Sequence, residues 1–334
     1  MSNLLIDRQQ NFVLNSKILS IDSDDRDITK WPNPANFEIR CPQSFNNVES
    51  IRLMNVNTPN NFYNISNYLQ NNKLLIIDKT ARALAEAAAA AAFVPDDTLH
   101  IIDISDGKYN IEELMLALNT QTSNYSIDIS FTYNNISNKI NVTHNSFKKY
   151  ILDFTANLSY NSSYFYDNNN NRHSMGCKFN IYEQHSNWGL GYMLGFNKQK
   201  YNVNNLLEPP NQINLNLNNF IYLEIDKLNR ADEIKPFLTN NRSNENNGIV
   251  NSFFAKIPII MSEYNQNLTN KDNYVNNLCF FQPPIDNLSK LKFKFRYHNG
   301  LLIDLNNHNI SLTLEINQIN NELKNYNVRQ PFLN

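Results

Sequence analysis

The densest group of residues that could perform chemistry lies in the stretch SIDSDDRDITKWPNP, residues 20–34. Its carboxylates are ligands that Ca²⁺ prefers, and an EF-hand loop needs oxygen ligands at positions 1, 3 and 5, Gly at 6 and Glu at 12. Counted from Asp22, position 5 is Arg26 and position 12 is Asn33, so the EF-hand pattern fails. Paired carboxylates also serve glycoside hydrolysis, and a glycosidase would use Asp24 or Asp25.

A structural interpretation accounts for the same stretch more simply. In it, Asp22 ends a strand, while Asp25 and Asp27 cap the turn that follows. Arg26 pairs with these carboxylates. We therefore expect a structural corner here rather than a metal or catalytic site, and its residues are Asp22, Asp25, Arg26 and Asp27.

No other motif predicts catalysis, a cofactor or a bound metal. The six histidines form no HxH, HExxH or HxxxH pair, and the three cysteines form no CxxC pair. The chain contains no GxSxG, Walker or GxGxxG motif, and the spacing of Gly189, Gly191 and Gly195 does not fit one. The sequence therefore predicts that the protein is not an enzyme and has no cofactor.

Composition limits the function classes further. The net charge of −2 offers no field that would gather nucleic acid or an anionic membrane. Asn makes up about a fifth of the chain and is spread among β-like apolar runs, which genome composition explains more simply than a prion-like role. The odd cysteine count argues against a disulfide framework, and the N-terminus lacks the apolar core of a signal peptide, so we expect folding in a reducing cytoplasm.

The elements that must position these residues are mostly strands. Short runs rich in Ile, Leu and Val are separated by Pro and Asn clusters at 17–22, 36–41, 49–57, 73–78 and 98–104. A helix is predicted to follow Asn110, with its apolar residues on one face. Three further strands at 125–134, 138–145 and 150–156 are predicted to form a meander. The later strand candidates are 220–226, 252–260, 277–284, 289–300 and 310–319.

The run KLKFKFRY predicts a half-buried antiparallel strand. Leu291, Phe293 and Phe295 alternate with basic residues and should face the core. The basic residues form a candidate interaction surface, namely Lys290, Lys292, Lys294 and Arg296. Nucleic-acid binding by this strand is disfavoured because alternation places the aromatic residues on the opposite face.

Residues 81–95 break the composition, because nine of the fourteen Ala residues of the chain lie between Ala81 and Ala92. One interpretation is a short helix that Thr80 caps and that ends before Pro95. The other is that Ala stands in for residues of undetermined identity. Neither interpretation assigns a function to the segment.

The opening of the chain resembles structural proteins of giant (nucleocytoplasmic large DNA) viruses. The resemblance lies in an IDS-x-x-RD strand end, then F-x-I, V-x-S-I-R-L and P-N-x-x-Y-x-I, all in order. These motifs are carried by Ile21, Asp22, Ser23, Arg26, Asp27, Phe37, Ile39, Val48, Ser50, Ile51, Arg52, Leu53, Pro59, Asn60, Tyr63 and Ile65. The resemblance extends more weakly to residue 319 and is absent at the Ala run.

The resemblance implies a capsid component, either a minor capsid protein under the major shell or a jelly-roll penton at the vertices. It implies contacts with the major capsid protein and other capsid proteins, and a homo-oligomer that is a pentamer if the protein is a penton. It also implies residence in the virion after synthesis in the host cytoplasm, with membrane contact only through proximity. The alternative function is a vertex-exposed protein that binds a receptor or glycan through Trp188, Tyr192 and Tyr201.

The predicted fold is mainly β, a jelly-roll-like antiparallel sandwich with an inserted small α/β module. The sandwich is expected from 16–80 together with 206–320, and a β-helix-β-β-β module from 96–205, with a boundary at Pro209-Pro210. Residues 1–15 are expected to form an N-terminal arm and residues 321–334 a C-terminal tail.

Overall fold

The computed structural model describes residues 12–87, 96–144, 148–155, 163–166, 172–175, 189–203, 205–216, 219–234, 250–259, 267–271, 277–298 and 300–321. Its strands are β1 (Phe12–Asp22), β2 (Asn36–Pro59), β3 (Lys73–Asp78), β4 (Thr98–Asp103), β5 (Ile129–Asn134), β6 (Lys139–His144), β7 (Tyr150–Asp153), β8 (Ser163–Tyr166), β9 (Arg172–Met175), β10 (Lys200–Val203), β11 (Phe220–Ile225), β12 (Ala231–Ile234), β13 (Val250–Phe253), β14 (Ala255–Pro258), β15 (Asn267–Lys271), β16 (Cys279–Arg296) and β17 (Ser311–Asn321). The helices are α1 (Thr80–Ala87), α2 (Ile111–Asn124) and α3 (Leu190–Met193). A 3₁₀ turn covers Ser23–Asp25.

The first of two compact units contains residues 1–61, 218–235 and 250–334. Its main sheet has the strand order β1-β17-β2-β16-β11-β14, and β15 also pairs with β2. All of these pairs are antiparallel. Strand β2 changes partners along its length, since residues 36–51 pair with β16 and residues 48–57 pair with β17.

Strands β2 and β16 are each longer than the sequence predicts. The expected strands 36–41 and 49–57 are one strand, and the expected strands 277–284 and 289–300 are joined in β16, which ends at Arg296. Their pairing continues through two register shifts, between Phe280 and Ile285 and between Leu288 and Lys290. Such bulges add local twist and bend without ending a ladder. The Pro and Asn residues between the expected strands therefore interrupt the apolar alternation in the sequence, but they do not end the strand pairing.

The core of this unit lies on one side of β16. Leu291, Phe293 and Phe295 are at most 1% exposed, as their alternation predicts. Phe293 contacts Phe37 of β2 with ring centroids 5.2 Å apart. Burial of such aromatic side chains is the largest contribution that single residues make to a core. The same core contains Ile21, Ile51, Leu53, Leu312, Leu314 and Ile316, all at most 2% exposed.

Part of the expected N-terminal arm is a paired strand. Residues 12–15 belong to β1 and face residues 318–321 of β17. The pairing continues to Asp22, which faces Ser311. Residues 1–11 and 322–334 lie outside the described residues.

The second unit contains residues 62–217 and 236–249. Its four-stranded antiparallel sheet has the order β10-β7-β3-β4, and β5 pairs with β6 in a separate hairpin. Helix α2 begins with a capping box, in which Asn110 and Glu113 each accept a hydrogen bond from the other's backbone N–H. Its apolar face joins a buried cluster that includes Leu74, Ile76, Ile102, Leu114, Leu118, Phe131, Ile140, Leu190, Met193 and Leu194.

The division between the units differs from the expected one. Strand β3 was expected in the sandwich, but it pairs with β4 and β7 in the second unit, which begins at residue 62 rather than 96. Strand β7 joins this sheet instead of extending the expected meander with β5 and β6. The cause is non-local pairing, because β3 and β7 meet across about seventy residues of chain.

The prediction of a mainly β, antiparallel, jelly-roll-like fold is confirmed. Within the Ala-rich segment, residues 80–87 form α1, and residues 88–95 lie outside the described residues. None of the helices in the described ranges has the length and hydropathy needed to cross a membrane.

Candidate interaction surface

The corner after β1 is hydrogen-bonded to the two residues that precede β17. Ser23 is fully buried, its backbone N–H donates to the Ile310 carbonyl at 2.9 Å, and its Oγ accepts from the Ile310 N–H at 2.9 Å. The Ser23 hydroxyl also donates to Asn309 Oδ1 at 3.1 Å. Asp22 caps the 3₁₀ turn by accepting from the Asp24 N–H at 2.9 Å. The bonds from Ser23 to Asn309 and Ile310 join positions that are almost three hundred residues apart in sequence.

Arg26 binds carbonyl oxygens instead of the expected carboxylates. Its Nη1 donates to the Ser23 carbonyl at 2.7 Å and to Asn309 Oδ1 at 2.8 Å. Its Nε donates to the Trp31 carbonyl at 3.0 Å, and its Nη2 to the Pro32 carbonyl at 3.3 Å. Among the described residues no ion pair joins Arg26 to an aspartate. The guanidinium therefore shapes the loop by spanning several backbone acceptors.

The aspartates of the corner serve the backbone or face solvent. Asp27 Oδ1 accepts from the Thr29 hydroxyl and from the N–H groups of Thr29 and Lys30, at 3.1 and 3.3 Å for the two N–H groups. These hydrogen bonds, that from the Thr29 hydroxyl foremost, lower the pKa of Asp27 below its usual value. Asp25 is exposed, and Asp24 accepts from Asn309 Nδ2 at 2.9 Å.

The described part of the chain was compared with the requirements of metal sites and of reactive thiols. Within it, no group of three or more His, Cys, Asp or Glu side chains lies close enough to hold a metal ion. Burial raises the pKa of the Cys41 and Cys279 thiols, which disfavours the reactive thiolate.

The outer side of the main sheet, centred on β16, carries a group of cations that we name the lysine face. It consists of Arg40 on β2, Lys256 on β14, and Lys290, Lys292 and Lys294 on β16. Cross-strand partners share one side of a sheet, and the register pairs Lys290 with Arg40, Lys292 with Glu38, and Lys294 with Glu224. Lys290 Nζ lies 3.7 Å from Glu38 Oε2, and the Lys290 side chain remains 65% exposed.

Arg296 does not belong to this exposed surface, which corrects the sequence-based assignment. It is only 4% exposed, forms an ion pair with Glu224, and places its guanidinium carbon 5.0 Å from the Tyr222 ring centroid. The alternation continues to Arg296, but Tyr222, its cross-strand partner on the neighbouring strand β11, places its ring against the guanidinium. Alternation predicts the side of a strand but not whether a neighbour covers it.

Aromatic residues border the lysine face, and sequence analysis did not identify them. Lys292 Nζ lies 5.0 Å and Lys30 Nζ 5.6 Å from the Trp31 ring centroid. Lys256 Nζ lies 4.1 Å from the centroid of Phe220, which is 39% exposed. All three are cation–π contacts, and those of Lys292 with Trp31 and of Lys256 with Phe220 join different segments of the chain. In the sequence, only the Trp-Pro after the corner and the lone Lys between apolar residues in FAKIPI could have indicated these aromatic contacts.

The aromatic residues proposed to bind a glycan are used in packing where they are described. Tyr201 contacts Phe154 and Phe196 with centroids 5.9 and 5.0 Å apart, and its hydroxyl accepts from the Asn197 N–H at 3.1 Å. Tyr192 lies half-buried in α3. Trp188 lies outside the described residues.

Comparisons with known proteins add the following findings. A family described as a family of unknown function (DUF5901) matches residues 8–146. No curated protein matches the chain at a significant level. Solved structures similar to it include the mavirus penton protein, with 10% identity, a TM-score of 0.44, and coverage of 93% of this chain and 100% of that one. Another is the Sputnik virophage structure from cryo-EM, with 13% identity, a TM-score of 0.39, and coverage of 94% and 99%. The fold assignment rests on the strand pairing of this chain itself.

Proposed function

We propose that this protein is a structural component of a large icosahedral virus capsid that acts through protein–protein contacts. In the finer form of the proposal it is a minor capsid protein under the major shell or a penton at the vertices. Its partners are then the major capsid protein, other capsid proteins and further copies of itself, with five copies in a penton. It is made in the host cytoplasm and resides in the virion.

The observation that carries the proposal is the set of hydrogen bonds made by the motif that resembles giant-virus structural proteins. Ser23 and Arg26 of that motif both bind Asn309, so the motif fastens the N-terminal strand to the C-terminal strand of the jelly-roll-like unit. Their polar groups are used in fixing the backbone. This is the arrangement expected of a protein that must keep a fixed shape in an assembly.

The unit also offers the surfaces that assembly requires. The hydrogen-bonded pairing of the long strands β2 and β16 fixes the geometry of the outer side of its main sheet. The lysine face presents charges there that a neighbouring polypeptide can contact.

Purified particles test the proposal directly. We expect the protein in a constant ratio to the major capsid protein by quantitative mass spectrometry, and density for it at a defined shell position in a particle map. Absence from purified particles, together with a recombinant protein that stays monomeric in light scattering, would contradict the proposal. A vertex position with five copies supports the penton, and a position beneath the shell supports the minor capsid protein.

A further inference from the structure

The lysine face has more positive charge than its own acids balance. Its five cations stand beside two carboxylates, Glu38 and Glu224, and Asp226 follows directly at the end of β11. Glu224 is already paired with the buried Arg296. The excess is local, because the chain as a whole has a net charge of −2.

Two features of this excess oppose the stability of the isolated sheet. Arg40 and Lys290 are direct cross-strand partners, and like charges in that position destabilise a sheet. Lys290, Lys292 and Lys294 also repeat one charge along one strand. A partner that supplies negative charge would relieve both repulsions.

The spacing of the cations identifies the form of that partner. Alternate residues of a strand are about 6.6–6.8 Å apart, and neighbouring strands are about 4.8 Å apart. An extended polypeptide with Asp or Glu at every second residue repeats its carboxylates with the same period. Laid along β16, such a segment places successive carboxylates over Lys290, Lys292 and Lys294.

Nucleic acid fits the face less well than an acidic polypeptide does. A phosphate backbone carries a charge at every nucleotide and would meet Glu38 and Glu224, whereas separate carboxylates can avoid them. Base stacking also needs open aromatic faces, but Tyr222 is 5% exposed, and lysines lie near the rings of Trp31 and Phe220.

We infer that the lysine face binds an extended acidic segment of another polypeptide, with carboxylates at alternate residues. Trp31 and Phe220 border this site and add apolar contact. The face is about 14 Å wide, which is three strand spacings. It can therefore bury only a small part of the area of about 800 Å² per partner that a stable protein–protein interface buries. The contact is therefore weak alone, sensitive to salt, and suited to a short segment. The inference does not depend on the capsid assignment, because it concerns binding by the isolated protein.

The test measures anisotropy of two fluorescent peptides with the full-length protein at low and at physiological ionic strength. In one peptide Glu and Thr alternate, and in the other the same residues form two contiguous blocks. We expect tighter binding of the alternating peptide, and a loss of affinity of about tenfold or more in the triple variant Lys290→Gln, Lys292→Gln, Lys294→Gln. The matched control changes three lysines of the second unit, Lys148→Gln, Lys149→Gln and Lys198→Gln, and should bind like the original protein.

Several outcomes would overturn the inference. These are no binding at low ionic strength, equal affinity for both peptides, an equal loss in the control variant, and tighter binding of single-stranded DNA than of the alternating peptide. Self-association that the same triple variant abolishes would assign the face to a second copy instead. Circular dichroism and thermal unfolding confirm that each variant is folded. As a second variant, Lys→Glu at the same three positions should bind a peptide of alternating Lys and Thr.

Discussion

The acidic corner and the lysine face lie in the same unit and were both visible as charge clusters, but the structure uses them in opposite ways. In the corner, Arg26 and Asp27 satisfy backbone groups of the loop. On the lysine face, the side chains of Lys290 and Lys294 point away from the backbone and are exposed. A charge cluster in a loop has unpaired N–H and C=O groups to bind, whereas in a strand the ladder has already paired them.

This difference predicts that substitutions change stability where charges bind the protein itself and change binding where they face solvent. Four experiments test it, beginning with the largest expected effect.

The inner and outer sides of β16 should respond very differently. Phe293→Ala removes a fully buried ring in contact with Phe37, and should lower the free energy of unfolding by about 3–5 kcal/mol. Lys294→Ala, the adjacent exposed residue, should change it by at most about 0.5 kcal/mol. Urea denaturation followed by circular dichroism measures both. Similar costs for the two variants would refute the assignment of sides.

Arg296 separates the buried ion pair from the exposed lysines. Arg296→Met leaves Glu224 without its partner and should cost about 2–3 kcal/mol, less than a fully buried pair because Glu224 still contacts water. Adding Glu224→Leu should recover much of that loss. A double-mutant cycle from urea denaturation gives the coupling, and additive costs would show that the two side chains do not interact.

Arg26 tests how the corner is held. Arg26→Ala removes donors to the carbonyls of Ser23, Trp31 and Pro32, and should lower the free energy of unfolding by about 2 kcal/mol. Arg26→Lys keeps the charge but not the planar fork, so it should recover only part of the loss. Full recovery by Lys would mean that charge, rather than carbonyl binding, is what stabilises the corner.

Asp27 gives the smallest effect, in the pH dependence of stability. Its folded-state pKa is lowered, so its contribution is present above the unfolded-state pKa of about 3.9 and is lost as the pH falls toward the lower folded-state pKa. Asp27→Asn keeps an acceptor but cannot titrate. The variant should therefore lose less stability than the original protein on acidification below about pH 4, as measured by urea denaturation at stepped pH. Asp25→Asn, at an exposed position of the same corner, is the matched control. Parallel pH curves for Asp27→Asn and the original protein would show that Asp27 does not contribute.

Local patterns predicted some elements well. Helix α2 follows from Asn110, Glu113 and a 3.6-residue apolar period, because a capping box and an amphipathic face involve neighbours in sequence. The inward side of β16 follows from its period of two. The corner was expected where it lies, but its Arg–Asp pairing was wrong, because the acceptor at Asn309 and the loop carbonyls depend on how the chain returns.

The sequence by itself determined the β character of the chain, the helix α2, the side of β16 that is buried and the position of the corner, since each depends on residues within one or two turns or strands. Tertiary structure alone decided that β3 belongs to the second unit, that Arg296 is buried against Tyr222, and that Asn309 closes the corner. It also decided that Lys256 lies on the lysine face and that Trp31 and Phe220 border it. These outcomes depend on which distant strands pair. Residues of many strands share the same apolar and β-branched composition, so the free energy that selects partners arises only when the whole sheet is assembled.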